Sequence, residues 1–126
     1  MYQKKIPQLF DCGILLTKEV LSGKWKTALL YNIAMGVQRP SAIQRSIPGA
    51  SRRVLNVQLN ELEQHGLICK TIYPQLPPKV EYYLTDFGCS LMPVIDAMTQ
   101  WGDDHRAQLE QVLIKEPHSR AELADS

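Results

Sequence analysis

Long apolar runs are missing from this sequence of 126 residues, and no stretch reaches the twenty or so apolar residues that a membrane-spanning helix needs. Residues 1–5 run into Pro7 without the charged-then-apolar order of a secretory signal, so a soluble cytoplasmic protein with no membrane partner is expected. Cysteine is scarce: Cys12, Cys69 and Cys89 are odd in number and lack C-x-x-C spacing, which points to reduced thiols rather than a disulfide framework or a redox pair. His65, His105 and His118 are scattered, with no cysteine or carboxylate at ligand spacing, so no metal or other cofactor is expected. No glycine-rich phosphate loop, no nucleophile paired with a base and no internal repeat is visible, and an enzyme is not expected. What remains is a chain with 44% hydrophobic residues, enough for one core, in which residues 1–114 are expected to form a single domain and residues 115–126 a flexible tail.

A large net charge is also lacking, but the value of +1 conceals a division along the chain. Residues 1–38 carry five basic and two acidic side chains, residues 39–80 six and two, and residues 81–126 three and nine. A basic front and an acidic back suit a molecule that lays one face on a polyanion.

The periodicity predicts mostly helix with one small hairpin. Ile14, Leu15, Leu16, Val20 and Leu21 form a first apolar stripe that Gly23 stops. A second helix, capped by Ser22, presents Trp25, Ala28, Leu29, Asn32 and Ile33 and ends at Gly36. Pro40 fits the first turn of a short third helix that buries Ala42, Ile43 and Ile47 before the Pro48-Gly49 turn. Ser51 caps a fourth helix with Leu55, Leu59 and Leu62 inward and Gly66 as its stop. Two extended runs, residues 67–73 and 80–84, flank a proline-rich tip and read as a hairpin. Thr85 then caps a long last helix containing Pro93, where a kink is expected.

A short helix, a tight turn, a serine-capped helix and a two-stranded ribbon follow one another in the order of a winged helix-turn-helix. The fold class is therefore mostly α (α+β), with a two-stranded wing, and double-stranded DNA is the expected partner. On the Ser51 helix the inward leucines leave Arg52, Arg53, Asn56, Val57 and Asn60 facing away from the core. Arginine can donate two bonds to guanine, asparagine can pair with adenine, and valine can touch a thymine methyl, all within a major groove wide enough for a helix. Ser51 and its neighbouring N–H groups can hold a phosphate at the helix start. Gln58 fits either face. Arg39, Arg45, Lys70 and Lys79 lie at element ends and on the hairpin, where phosphate contacts or entry of the wing into the adjacent minor groove are the natural uses. The same element order would also serve a module for protein contact, and salt-insensitive, weak association with DNA would distinguish that reading.

Cys12, Gly23-Lys24-Trp25, the run from Pro48 to Leu55, Leu59, Glu61-Leu62-Glu63 and Gly66-Leu67 also carry a family likeness. It continues through Tyr73-Pro74, Pro77-Pro78, Val80-Glu81-Tyr82, Leu84-Thr85, Gly88, Leu91, Pro93 and Trp101-Gly102. From Cys12 to His105 the chain resembles the HxlR-type bacterial winged-helix regulators. The resemblance implies a homodimer built from N- and C-terminal helices, with the Ser51 helices of the two copies in successive major grooves of a palindromic operator, roughly 34 Å apart. Arg39-Pro40, Leu15 and Cys69-Lys70 depart from the family pattern, and Leu15 makes the first helix more apolar, as a dimer interface would require. The resemblance further implies that Cys12, which matches a sensing cysteine by position, responds to an oxidant or another small effector. A thiol at a helix start gains thiolate character, with Lys4 and Lys5 in favour and Asp11 opposed. The alternative for Cys12 is a small side chain packed at the first helix junction.

Overall fold

A computed structural model describes residues 12–113. In chain order the elements are α1 (Gly13–Val20), α2 (Lys26–Ala34), α3 (Pro40–Ser46), α4 (Arg52–Gln64), β1 (Ile68–Tyr73), β2 (Lys79–Leu84), α5 (Asp86–Asp104) and α6 (Arg106–Leu113). This is the expected winged helix-turn-helix order, with α6 as an addition that the sequence reading did not separate. The chain divides into two compact units, one ending at Met92 and the other beginning at Pro93, so the division falls on the proline inside α5. Lys4, Lys5, Asp11 and the tail expected from residue 115 lie outside the described residues.

The core of the first unit follows from the apolar spacing of its helices. Leu29, Leu30 and Ile33 of α2, Ile43 of α3, and Leu55, Leu59 and Leu62 of α4 are buried together with Leu67, Ile68 and Tyr82. Each such side chain withdrawn from water contributes about 1.5–3 kcal/mol. The turns are built by local chemistry. Pro40 occupies the first turn of α3, where no N–H is needed, and the Ser51 hydroxyl accepts the Val54 N–H at 3.1 Å to cap α4. At the other end of α4, Gly66 adopts φ +78°, and Leu67 N–H reaches back to the Leu62 carbonyl at 3.0 Å. That geometry closes the orphan carbonyls of the last turn and disfavours any side chain at Gly66.

Three expectations are corrected. α1 ends at Val20, before Gly23. Ser22 does not cap α2: its N-cap is Trp25, which makes no side-chain cap of its own. The buried side of α2 is Lys26, Leu29, Leu30 and Ile33 rather than a stripe through Asn32. Pairing a charge with a distant partner made this possible, and periodicity alone does not register such a pairing.

In the antiparallel hairpin, Ile68 pairs with Leu84, Lys70 with Tyr82 and Tyr73 with Lys79. Alternation then gives the wing two faces. Ile68 and Tyr82 turn into the core, while Tyr73, Lys79, Glu81 and Tyr83 share the other face. The Tyr82 N–H also donates to the Gln38 carbonyl at 3.0 Å, fastening β2 to the connection between α2 and α3.

Candidate nucleic-acid interface

With about 3.6 residues per turn, the thirteen residues of α4 are shared among four directions. Leu55, Leu59 and Leu62 enter the core. On one flank Gln58 and Glu61 meet α2: the Gln58 Oε1 accepts the Trp25 N–H at 2.8 Å, and the Glu61 Oε1 lies 2.8 Å from the Lys26 Nζ. Gln58, which sequence left on either face, thus belongs to the inner one. It supplies the partner that an α2 terminus without a side-chain cap requires. Gly23 makes room for it, since a Cβ there would stand 3.0 Å from the same amide oxygen.

The opposite flank of α4 faces the wing. Glu63 lies 4.0 Å from Lys70 of β1, and Arg52 lines a cleft with Arg39, Lys79 and Val80. The remaining direction is open. Arg53, Asn56, Val57 and Asn60 are exposed, and among the described residues the three polar ones make no side-chain hydrogen bond or ion pair. Val57 is half in solvent, where its methyl groups suit contact with a base methyl.

The candidates therefore separate. Arg53, Asn56, Val57 and Asn60 stay together on the face expected to read, and Ser51 stays at its start. Arg52 leaves that group for the wing side. Arg39 and Lys79 come together from distant positions around Glu81, with Arg39 Nε at 3.8 Å and Lys79 Nζ at 3.6 Å from its Oε2. Lys70 is directed at Glu63, and Arg45 stands exposed at the last turn of α3.

Glu81 was not singled out from sequence, although the two-residue alternation that puts Lys79, Glu81 and Tyr83 on one face was there to be used. The Tyr83 hydroxyl donates to Glu81 Oε1 at 2.7 Å, and Tyr73 lies 2.9 Å behind it. Because the Tyr83 proton is given to the acid, Tyr73 is the donor in the second bond. The Tyr83 hydrogen bond holds the Glu81 carboxyl below its ordinary range against partial desolvation, and Tyr73, Lys79 and Arg39 act in the same sense. Tyr73 and then Glu81 push the Tyr83 phenol upward. Glu81 is accordingly a carboxylate throughout the neutral range, hydrogen-bonded at Oε1 by Tyr83 and faced at Oε2 by Arg39 and Lys79.

Cys12 is exposed in the single chain. Its backbone is the N-cap of α1, and its carbonyl accepts the Leu15 and Leu16 N–H groups at 3.0 and 3.1 Å. Cys69 and Cys89 are also exposed. Among the described residues no cluster of three or more metal-ligating side chains occurs, and no helix is long and apolar enough to cross a membrane. Trp25 packs beside the Pro48-Gly49 turn and Tyr82 is buried. Trp101 is exposed and stacks on His105 with 4.8 Å between ring centroids.

Comparison with known proteins agrees with this layout. The family described as HxlR-like helix-turn-helix matches residues 20–110. The HTH-type transcriptional regulator YkvN of Bacillus subtilis is 43% identical over 99 residues, covering 79% of this chain and 84% of its own. The regulator YybR of the same organism is 40% identical over 112 residues, covering 87% and 90%. Among solved structures, the redox regulator HypR in its reduced form superposes with a TM-score of 0.74 at 40% identity, covering 79% of this chain and 99% of that one. The reduced form of the regulator YodB from B. subtilis gives 0.62 at 30% identity, covering 73% and 91%.

Proposed function

The chain belongs to the HxlR-like helix-turn-helix family of transcriptional regulators, and from that premise we propose that it acts as a homodimer which reads a palindromic operator with α4. The observation that carries this reading is the open face of α4, where Arg53, Asn56, Val57 and Asn60 stand exposed beside a basic wing. A guanidinium, two amides and a branched apolar side chain on one open helix face are the groups that base edges in a major groove would receive.

Apolar surface supports the second copy. Ile14 and Leu16 of α1 are 72% and 43% exposed, and Phe87, Met98, Trp101, Val112 and Leu113 of α5 and α6 are also open. In a lone soluble chain, so many large apolar side chains on terminal helices call for a cover, and a symmetric dimer would set the two α4 helices one DNA turn apart.

The test starts with selection of bound fragments from genomic DNA, which defines the operator. Arg53→Ala is then expected to lose about 1–3 kcal/mol at that operator while keeping near wild-type affinity for mixed-sequence DNA. Retention of full operator affinity by both Arg53→Ala and Asn56→Ala would remove α4 as the reader.

A signal enters this reading through Cys12. Two structural relatives are redox regulators by name or are solved in a stated reduced form, and Cys12 presents an exposed thiol at a helix start. Oxidation there would change how α1 packs in the dimer and so shift the population with correct half-site spacing. Diamide is expected to change operator affinity at least about fivefold in the wild type, equivalent to about 1 kcal/mol, and to leave Cys12→Ser unaffected. An equal response in both proteins would exclude Cys12 as the sensor.

A further inference from the structure

The cleft between the wing tip and the starts of α3 and α4 has a volume of about 290 Å³ and gathers Arg39, Ser41, Arg52, Gln75, Lys79 and Pro77. Three cations come from three separate places in the fold: the α2–α3 connection, the first turn of α4 and the first residue of β2. Three like charges brought to one cleft raise its positive potential and favour an anion there. Glu81 is the only acid that the ion pairs of Arg39 and Lys79 share among the described residues, and it balances one charge of the three.

The quality of these contacts decides which partner is permanent. The Glu81 carboxylate is anchored at 2.7 Å by Tyr83, with its side chain 19% exposed. Its contacts to the cations are long, at 3.8 and 3.6 Å, whereas a charge-assisted hydrogen bond settles near 2.8 Å, as in the Lys26–Glu61 pair. The Arg39 side chain is 56% exposed, and Arg52 has no ion pair among the described residues. The acid is fixed, Arg39 and Arg52 are exposed, and Lys79 is held more closely, its Nζ also lying 4.9 Å from the centroid of the Tyr73 ring. The cations also lie beside the reading face, since Arg52 immediately precedes Arg53 on α4. An anion in the cleft would stand at the edge of a groove occupied by that helix.

We propose that this cleft holds one phosphodiester of the DNA backbone, and that Glu81 occupies its cations in the free protein, so that Arg39 and Lys79 exchange the carboxylate for phosphate as the duplex docks. The proposal rests on the DNA-reading function above and assigns Arg52 to the backbone rather than to a base. The carboxylate is then an internal competitor that weakens docking on every sequence alike. The bound phosphate neutralises one of the two charges that Glu81 leaves over, and no group needs to enter or leave the core.

The experiment is fluorescence anisotropy with a labelled mixed-sequence duplex across a range of salt concentrations. The double variant Arg39→Ala/Lys79→Ala is expected to bind more weakly, with the slope of log affinity against log salt reduced by about 1 per subunit. Glu81→Gln retains an acceptor for Tyr83 and removes only the charge; it is expected to tighten binding about three- to tenfold at low salt. In the double-variant background that gain falls below about twofold. No gain, or the same gain in both backgrounds, overturns the exchange. A separate arm titrates the free protein with sodium phosphate at constant ionic strength while following the arginine Nε–H signals. No saturation is expected up to about 10 mM, because Glu81 holds the cations, and saturation below about 1 mM would make the cleft a site for a free oxyanion instead. If the wild type shows no salt-dependent duplex binding, the DNA-reading function falls and the cleft with it. Intact wild-type binding with unchanged variants removes the cleft alone.

Discussion

Gly88→Ala is expected to destabilise the protein by at least about 3 kcal/mol, lowering its unfolding temperature by roughly 10 °C or more. Gly88 sits in the first turn of α5, directly over Leu67, and a Cβ built on it would stand 2.0 Å from the Leu67 carbonyl oxygen. The obstacle is backbone rather than the end of a flexible side chain. That carbonyl is itself held by the Thr85 N–H at 3.1 Å. The Thr85 hydroxyl meanwhile donates to the Gly66 carbonyl and accepts the Gly88 N–H at 3.0 Å. Relief of the clash must therefore separate α5 from the start of the wing, breaking a cap and exposing Leu67, which is buried at 1%. At the adjacent exposed position Cys89→Ala introduces a better helix former with no clash, and its effect is expected to stay within about 0.5 kcal/mol. Thermal unfolding followed by circular dichroism compares the two. Equal stabilities would mean that α5 is not seated on Leu67 in this way.

The same junction shows which features a sequence can disclose. Ser51 and Thr85 were legible as caps because their partners, Val54 and Gly88, lie three residues ahead in the chain. Gly66 was legible because its turn closes on residues immediately before it. Gln58 was not, since the N–H it receives belongs to Trp25, 33 positions earlier. Lys26 reads as a surface cation beside Lys24, yet it is 2% exposed. The cluster around Glu81 required the hairpin register and the position of Arg39 together. For Arg52, the helical wheel correctly excluded the core but carried no information about where the wing would lie. The fold and the helix with the open polar face were thus local properties of the sequence, whereas the placement of its basic residues around that helix was a property of tertiary packing.

Lys26 and Glu61 carry the other large effect, and it is an asymmetric one. The pair is 2.8 Å long, with the Lys26 side chain 3% exposed and that of Glu61 45% exposed. Glu61→Ala leaves an ammonium in the core without its counter-charge. A fully buried pair broken in this way costs about 3–5 kcal/mol, and the solvent around Glu61 reduces the expectation to about 2–3 kcal/mol. Lys26→Met removes the charge and keeps most of the aliphatic volume, so it is expected to stay within about 1 kcal/mol of wild type. Adding Glu61→Ala to Lys26→Met should then cost little more, because no charge remains to be stranded. Urea unfolding of the four proteins in this cycle gives the coupling directly. Since Glu61 and Gln58 together hold the inner flank of α4 to α2, Glu61→Ala should also weaken operator binding, and Lys26→Met should restore both stability and affinity in the double variant. A Glu61→Ala protein as stable as wild type would show that Lys26 finds solvent without its acid, and the pair would then have no part in setting the angle of α4.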